Sequence, residues 1–348
     1  MHIWKYPLFS PLNSPNRMKR ILALLLLVSP LAQGQWHTTT LPGAPSIRGL
    51  DANGPTNIWL SGSAGSLFLS KDGGVSWENR CPPEYKHLDF RGVAVLSDSV
   101  VIAMSAGEGE KGKAVVIKSG DRGKTWRKVL QKSEKGTFFD GIKFKSPWTG
   151  FILGDPIDEY PYLLRTTDAG ETWERVPNLP KIEPGEATFA SSNSGITTLG
   201  DNIWFHTQNR VFHSFNSGDY WQAHNTLFQK GNSRGIFGLF AVDAYTLIAV
   251  GGDYLPHDEP VLQYAHSGSS GQAWYTAKEF WKIGLTECVA SFGEQKHLLS
   301  VGTHGSAVST DAGYSWKSLD KASFHVVRCF GSTCLAAGAE GKVGILKL

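Results

Sequence analysis

Ser70-Lys-Asp72-Gly-Gly74-Val-Ser-Trp77 is one of six versions of a single eight-residue phrase in this chain. The others are Ser119-Gly-Asp121-Arg-Gly123-Lys-Thr-Trp126, Thr166-Thr-Asp168-Ala-Gly170-Glu-Thr-Trp173, Ser214-Phe-Asn216-Ser-Gly218-Asp-Tyr-Trp221, a worn copy Ser267-Gly-Ser269-Ser-Gly271-Gln-Ala-Trp274, and Ser309-Thr-Asp311-Ala-Gly313-Tyr-Ser-Trp316. The template S-x-D-x-G-x-[ST]-W has a chemical logic. Asp72, Asp121, Asp168, Asn216 or Asp311 can accept hydrogen bonds from the backbone N–H groups that follow it and so close a turn. The Gly two residues later supplies a positive φ. The Trp opens the next strand and packs between neighbouring sheets. These are structural duties, so the acids of the phrase are assigned no catalytic role.

A fixed period of this length marks a repeat fold. Successive phrase tryptophans are 49, 47, 48, 53 and 42 residues apart, room for four short strands each. Trp36 stands 41 residues before Trp77 but lacks its Ser-x-Asp half. The C-terminal Gly338-Ala-Glu-Gly341-Lys-Val-Gly-Ile matches Gly62-Ser-Ala-Gly65-Ser-Leu-Phe-Leu and Gly302-Thr-His-Gly305-Ser-Ala-Val-Ser, and the sequence stops at Leu348, where the phrase is due. A seventh repeat is therefore split between the termini. The expected fold is an all-β, seven-bladed β-propeller whose ring closes by pairing N- and C-terminal strands, leaving no sheet edge open. Composition agrees: 39 Gly and 12 Trp beside only 3 Met favour short strands and tight turns over helical bundles, and 41% hydrophobic residues exclude disorder.

Residues 1–34 read as a signal peptide, with Arg17, Lys19 and Arg20 before the apolar run from Ile21 to Val28 and small residues at Ala32 and Gly34. That run is too short to span a bilayer. The expected organisation is then one propeller domain over residues 35–348, periplasmic or secreted, with no membrane span after cleavage and a monomeric state. Removing residues 1–34 takes away Lys5, Arg17, Lys19 and Arg20 and no acids, turning the formal charge of +3 into −1. A nearly neutral chain gives no support for a nucleic-acid partner. Cys329 and Cys334 are a candidate disulfide across a hairpin. Cys81 and Cys288 read as free, buried thiols. The absence of any Cys-x-x-Cys pair argues against structural zinc, and no metal or other cofactor is expected.

In a propeller blade the start of the innermost strand and the loop joining the second and third strands share one face, while the repeated phrase joins the third and fourth strands at the other. Aligning the innermost strands places Arg48, Arg91, Asp140, Glu186, Phe237, Glu287 and His325 in one ring, each before a small residue except at His325. A ring rich in ionisable groups is either a binding mouth or a set of mutual ion pairs. Three long loops overhang the same mouth, starting at Gly107, at Gly154-Asp155 and at Gly251-Gly-Asp253-Tyr254. The Gly107-x-Gly109-x-x-Gly112 pattern leads into a β-rich stretch instead of a helix, so it is not a dinucleotide site. His257-Asp258-Glu259 reads as a solvated loop or a metal fragment.

With these segments in view, the chain resembles the Asp-box, or BNR-repeat, propellers related to the photosystem II stability and assembly factor of plants and cyanobacteria. More narrowly, it is similar to a bacterial and plant group there often labelled oxidoreductase or BNR-repeat glycosyl hydrolase. The resemblance rests on Arg48-Gly-Leu50, Leu88-Asp-Phe-Arg91-Gly92, Phe138-Phe-Asp140-Gly, Gly154-Asp-Pro156, Gly185-Glu-Ala-Thr-Phe-Ala-Ser-Ser-Asn193, Gly235-Ile-Phe-Gly238 and Gly251-Gly-Asp-Tyr254. Gly stands at 92 where the group has an acid and at 238 where it has a hydroxyl, and Thr286-Glu287-Cys288 replaces an Arg-Ser pair. The resemblance implies a site made of the ring, Asn193 and the loops carrying Asp155, Asp253 and Tyr254, but no settled reaction.

Two functions compete. In the first, the mouth is a binding or assembly platform for a protein, peptide or glycan ligand, with Arg48 and Arg91 gripping an anionic group and Phe237 and Tyr254 giving apolar contact. In the second, it is a glycoside hydrolase or lyase whose paired carboxylates come from Asp140, Glu186 and Glu287, with Asp155 and Asp253 in reserve. A sialidase is disfavoured, since its Arg-Ile-Pro start is missing and the ring has two arginines where three are required. The redox label has no nucleotide fingerprint, haem motif or Cys pair behind it. Binding is the favoured reading.

Overall fold

The computed structural model describes residues 34–348 apart from 256, 257, 279, 280, 283 and 295. The signal-peptide reading of residues 1–34, apart from Gly34, and the His257 reading lie outside the described residues. Seven four-stranded antiparallel sheets form the blades of a β-propeller. Their innermost strands are Ile47–Ala52, Asp89–Val95, Phe139–Phe144, Ile196–Leu199, Arg234–Ala241, Thr286–Ser291 and Val326–Phe330, taken below as blades one to seven. Blade seven is completed by Thr333–Ala337, Lys342–Lys347 and, from the other end of the chain, His37–Thr40. His37 pairs with Ile345 and Thr40 with Lys342, so the two termini close the ring.

The second strands carry uninterrupted apolar runs because each blade is covered on both faces. Val101–Ala106 and Leu247–Asp253 are buried along their whole lengths. The core is divided among the interfaces between blades. Trp59, Leu67 and Leu69 of blade one pack on Phe90, Val101 and Ile117 of blade two, and equivalent clusters follow around the ring. The seam where the termini meet is continuous with blades six and one through Trp36, Leu299, Phe324 and Leu60. Each buried Leu or Phe there contributes about 1.5–3 kcal/mol, so closure rests on packing as well as on one strand pair.

The repeated phrase does what its chemistry requires. Ser70 Oγ accepts from Gly74 N at 2.8 Å, and Asp72 Oδ1 accepts from Ser76 N at 2.9 Å. The same pattern recurs at Asp121, Asp168, Asn216 and Asp311. In the worn copy the Ser269 hydroxyl takes over the acceptor role toward Ala273 N at 2.9 Å. The phrase glycine is required twice over. Gly170 has φ +81°, and a Cβ there would lie 2.5 Å from Ile102 of the preceding blade. Cys329 and Cys334 are joined by a disulfide across the inner hairpin of blade seven, between its first and second strands, and Cys81 and Cys288 are free; Cys288 is buried and Cys81 half-buried.

Candidate functional site

Each innermost strand starts at one mouth of the central channel, and a β-bulge marks that start in five blades. The irregularities fall at Arg48, Arg91, Asp140, Phe237 and Glu287. A bulge turns one side chain out of the ladder, and here it turns those residues toward the mouth. His325 holds the same place in blade seven, donating its N–H to Ala337 O at 2.8 Å beside the Val326–Ala337 pair.

Glu186 does not belong to the ring. Blade four begins at Ile196, so the ring position falls to Ser194, eight residues further on. Glu186 is instead buried at the outer side of this blade, where Arg210 grips it through Nε at 2.6 Å and Nη2 at 2.5 Å. Glu183 N and the Thr207 hydroxyl complete its shell at 2.9 and 3.2 Å. The physical reason is an extra stretch of chain between blades three and four that has no counterpart in the other repeats.

That stretch, Thr188 to Ser194, crosses the mouth and plugs the channel. Arg48 Nη1 donates to Ser191 O at 2.8 Å and Arg91 Nη1 to Ala190 O at 3.1 Å. Asn193, with φ +56°, accepts from Ile142 N at 2.8 Å through Oδ1. Ser192 and Ser194 donate to Glu287 O at 2.7 and 2.9 Å. The plug thus touches blades one, two, three and six, and Ser191 reaches Phe237 O of blade five at 3.4 Å. The small residues after the bulges make room for it. A Cβ on Gly92 would sit 3.0 Å from Asn193 Oδ1, and one on Gly238 would sit 2.6 Å from Ser194 Oγ. An acid at 92 would also run into Ile142 and Met104.

The ring charges are largely committed to one another and to the plug. Glu287 is buried, with His325 Nδ1 at 2.8 Å and Arg48 Nη1 at 3.5 Å. Burial lowers the Arg48 pKa, and Glu287 opposes that shift. Asp140 is buried beneath Thr188, whose hydroxyl it binds and whose N–H and hydroxyl also reach Asp155 at 3.3 Å. Burial, then the neighbouring Asp155 charge, pushes Asp140 well above the usual carboxylate range, and burial raises Asp155 as well. Asp253 is held by Arg234 Nε at 3.3 Å and caps Leu255 N at 3.0 Å.

What the mouth offers outward is aromatic. Phe189 of the plug stacks on Phe237 with centroids 4.1 Å apart, and Tyr254 stands edge-on to both at 6.3 and 6.2 Å. Tyr254 and Leu255 are each 53% exposed. Among the ring and loop residues named from sequence, the structure brings Arg48, Arg91, Asp140, Asp155, Asn193, Phe237, Asp253, Tyr254, Glu287 and His325 together at this end, and sets Glu186 apart from the ring against the Thr207–Arg210 turn of blade four. Phe189, Ser194 and Arg234 were missed. Only the Gly195-Ile196 dipeptide, a repeat of Gly141-Ile142, signalled the true register.

No family model matches the sequence. The photosystem II stability/assembly factor HCF136 of Arabidopsis thaliana is 24% identical over 195 residues, which are 54% of this chain and 34% of that protein, so the match spans about a third of the relative's length. Among solved structures, YCF48 from Cyanidioschyzon merolae superposes with a TM-score of 0.66 at 16% identity, covering 90% of this chain and 98% of that one. YCF48 bound to D1 peptide gives 0.64 at 14% identity, covering 90% and 97%. The virginiamycin B lyase of Staphylococcus aureus gives 0.64 at 15%, covering 90% and 99%, so the fold does not select a function. The chain is a seven-bladed propeller that is similar in sequence, over about half its length, to the photosystem II stability/assembly factor of Arabidopsis thaliana.

Proposed function

We propose that this protein is an exported binding or assembly module that recognises a peptide segment of a partner protein at the rim of its mouth, without a catalytic step. The observation that carries this reading is the exposed Tyr254–Leu255 shelf, backed by the rigid Phe189–Phe237 stack and flanked by Arg234, whose side chain is 43% exposed. Rigid aromatic anchors beside an arginine suit an extended peptide. The structure of YCF48 with D1 peptide supports a peptide partner for a propeller of this kind. Export rests on the basic and apolar pattern of residues 1–34, and a periplasmic or secreted location follows from it.

The hydrolase or lyase alternative needs two carboxylates facing the mouth. Asp140 lies under Thr188, Glu186 is gripped by Arg210, and Glu287 is paired with His325 and Arg48. Peptides selected from a displayed library on the purified protein test the binding reading by calorimetry. Tyr254→Ser with Leu255→Ser is expected to weaken the selected peptides about 30-fold or more, the loss of a ~2 kcal/mol anchor. Tyr275→Ser, at an exposed position on the outer strand of blade five, leaves them unchanged. Equal binding by the double variant, or turnover in a glycan-cleavage screen, overturns the proposal.

A further inference from the structure

Below the plug the channel widens into a cavity of about 520 Å³. It is closed at one end by Ser192, Asn193 and Ser194 and runs to Ser146, Ser291 and Cys329 at the face that carries the repeat turns. The size is within the ~300–1,000 Å³ range of small-molecule sites. Its upper wall is a collar of side chains such as Leu50, Val93, Ile142 and Leu239, all buried.

The charges sit one layer lower. Asp51 of blade one accepts from Val95 N at 2.8 Å and is ion-paired with Arg328 of blade seven, whose Nη2 also donates to Ala52 O at 3.0 Å. Lys145 is committed to Asp201 and Ser217 at 2.9 and 2.6 Å. Lys143 enters from blade three half-buried, and among the described residues its ammonium makes no hydrogen bond or ion pair. It lies close enough to Asp51 and Arg328 to feel both charges, and the desolvation imposed by the channel lowers its pKa. Three cations therefore line the cavity against one acid, and one of the cations has no counter-charge of its own. An ammonium partly withdrawn from water without a partner loses solvation, and an anion entering from the open end would supply the partner.

We propose that this channel cavity binds a small amphiphilic organic anion, with a carboxylate or phosphate head between Lys143 and Arg328 and a short apolar body along Phe240 and the collar. The site lies at the opposite end of the channel from the peptide rim and does not depend on that reading. The test is calorimetry on the purified protein with octanoate, octyl phosphate and octyl glucoside, which share a tail and differ in head group. Octanoate or octyl phosphate is expected to bind and the glucoside not; which of the two binds tighter identifies the head group. Lys143→Met should weaken the anion about tenfold or more, the loss of a charge-assisted bond, and Lys143→Arg should retain it within about threefold. Independently of any variant, the bound anion should protect Lys143 from reductive methylation, read by mass spectrometry. Absence of binding by both anions at millimolar concentration, equal binding of the glucoside, or unprotected Lys143 overturns the proposal.

Discussion

Glu186 offers the sharpest test of how this molecule is put together. Its side chain is fully buried and that of Arg210 is 10% exposed, and the two meet through two short contacts of 2.6 and 2.5 Å. Glu186→Ala strands a guanidinium that keeps only Lys181 O at 2.9 Å and the Phe212 ring 5.1 Å away. Breaking a buried pair from one side costs about 3–5 kcal/mol. With an unfolding entropy near ~2 cal/mol/K per residue, a propeller of this length should lose about 5–8 °C in Tm. Replacing both partners, Glu186→Leu with Arg210→Met, should recover most of that loss, because neither charge is then left buried. The assay is thermal and urea unfolding of the parent, Glu186→Leu, Arg210→Met and the double variant as a double-mutant cycle, with Glu186→Ala alongside and peptide binding measured in parallel. A residue of the exposed rim such as Tyr254 should behave oppositely, changing binding and hardly touching stability. A Glu186→Ala protein within 1 °C of the parent, or one that folds normally but loses peptide binding, refutes the placement.

The remaining predictions concern the turns and the plug. The Ser76 and Thr125 hydroxyls, followed by the backbone N–H groups, hold Asp72 and Asp121 at about 2 against an ordinary 3.8; the stabilisation is present above pH ~4 and is lost as pH falls toward 2, which Tm against pH will show, with Asp72→Asn flattening the curve. Gly170→Ala should cost about 2–4 kcal/mol, from left-handed strain plus the 2.5 Å clash with Ile102, whereas Gly200→Ala, with φ +60° and open space around it, should cost only about 1–2 kcal/mol in urea unfolding. Asp140, raised by burial and by Asp155, contributes stability below the ordinary carboxylate range that is lost as pH rises through its folded pKa; Asp140→Asn should therefore match the parent near pH 4 and exceed it in Tm at pH 8. Asn193→Ala leaves Ile142 N without its 2.8 Å acceptor, at about 1–3 kcal/mol, and should raise the rate of limited proteolysis within residues 188–194.

The fold was legible because its signals are local and repeated. The phrase closes its own turn, and the split seventh copy has one geometric resolution, the pairing of Thr40 with Lys342. The ring was legible where a bulge residue precedes a small one at a constant distance from the loop beyond, as at Arg48-Gly49 and Asp140-Gly141. It failed in blade four because Glu186-Ala187 imitates that pair, while the true position carries Ser194 before Gly195. Of the plug only Asn193 was legible, and only through the resemblance. The plug's hydrogen bonds run to five blades separated by up to 143 residues from their partners, and a polar run such as Ser191-Ser192-Asn193-Ser194 carries no local mark of what it will meet. Nor did sequence separate a binding arginine from a scaffolding one, since both need only an acceptor within reach.

The plug changes what the mouth can recognise. Arg48 and Arg91 are spent on backbone carbonyls of the same chain, so their charges fix the position of residues 190 and 191 before any ligand arrives. Asn193, with Gly92 and Gly238 packed close against the plug, locks that segment on the channel axis. A ligand therefore meets the outer surface of the plug and the loops beside it, and the bore is not open to it from this end. Phe189 is the plug residue that turns outward to stack on Phe237 and support Tyr254. On the proposed function, specificity would be set by one aromatic shelf held against the strand residue Phe237, which keeps the ordering cost of binding low. It also couples rim and plug: a substitution that loosens Asn193 should weaken peptide binding through Phe189, although Asn193 itself lies beneath the surface the peptide would touch.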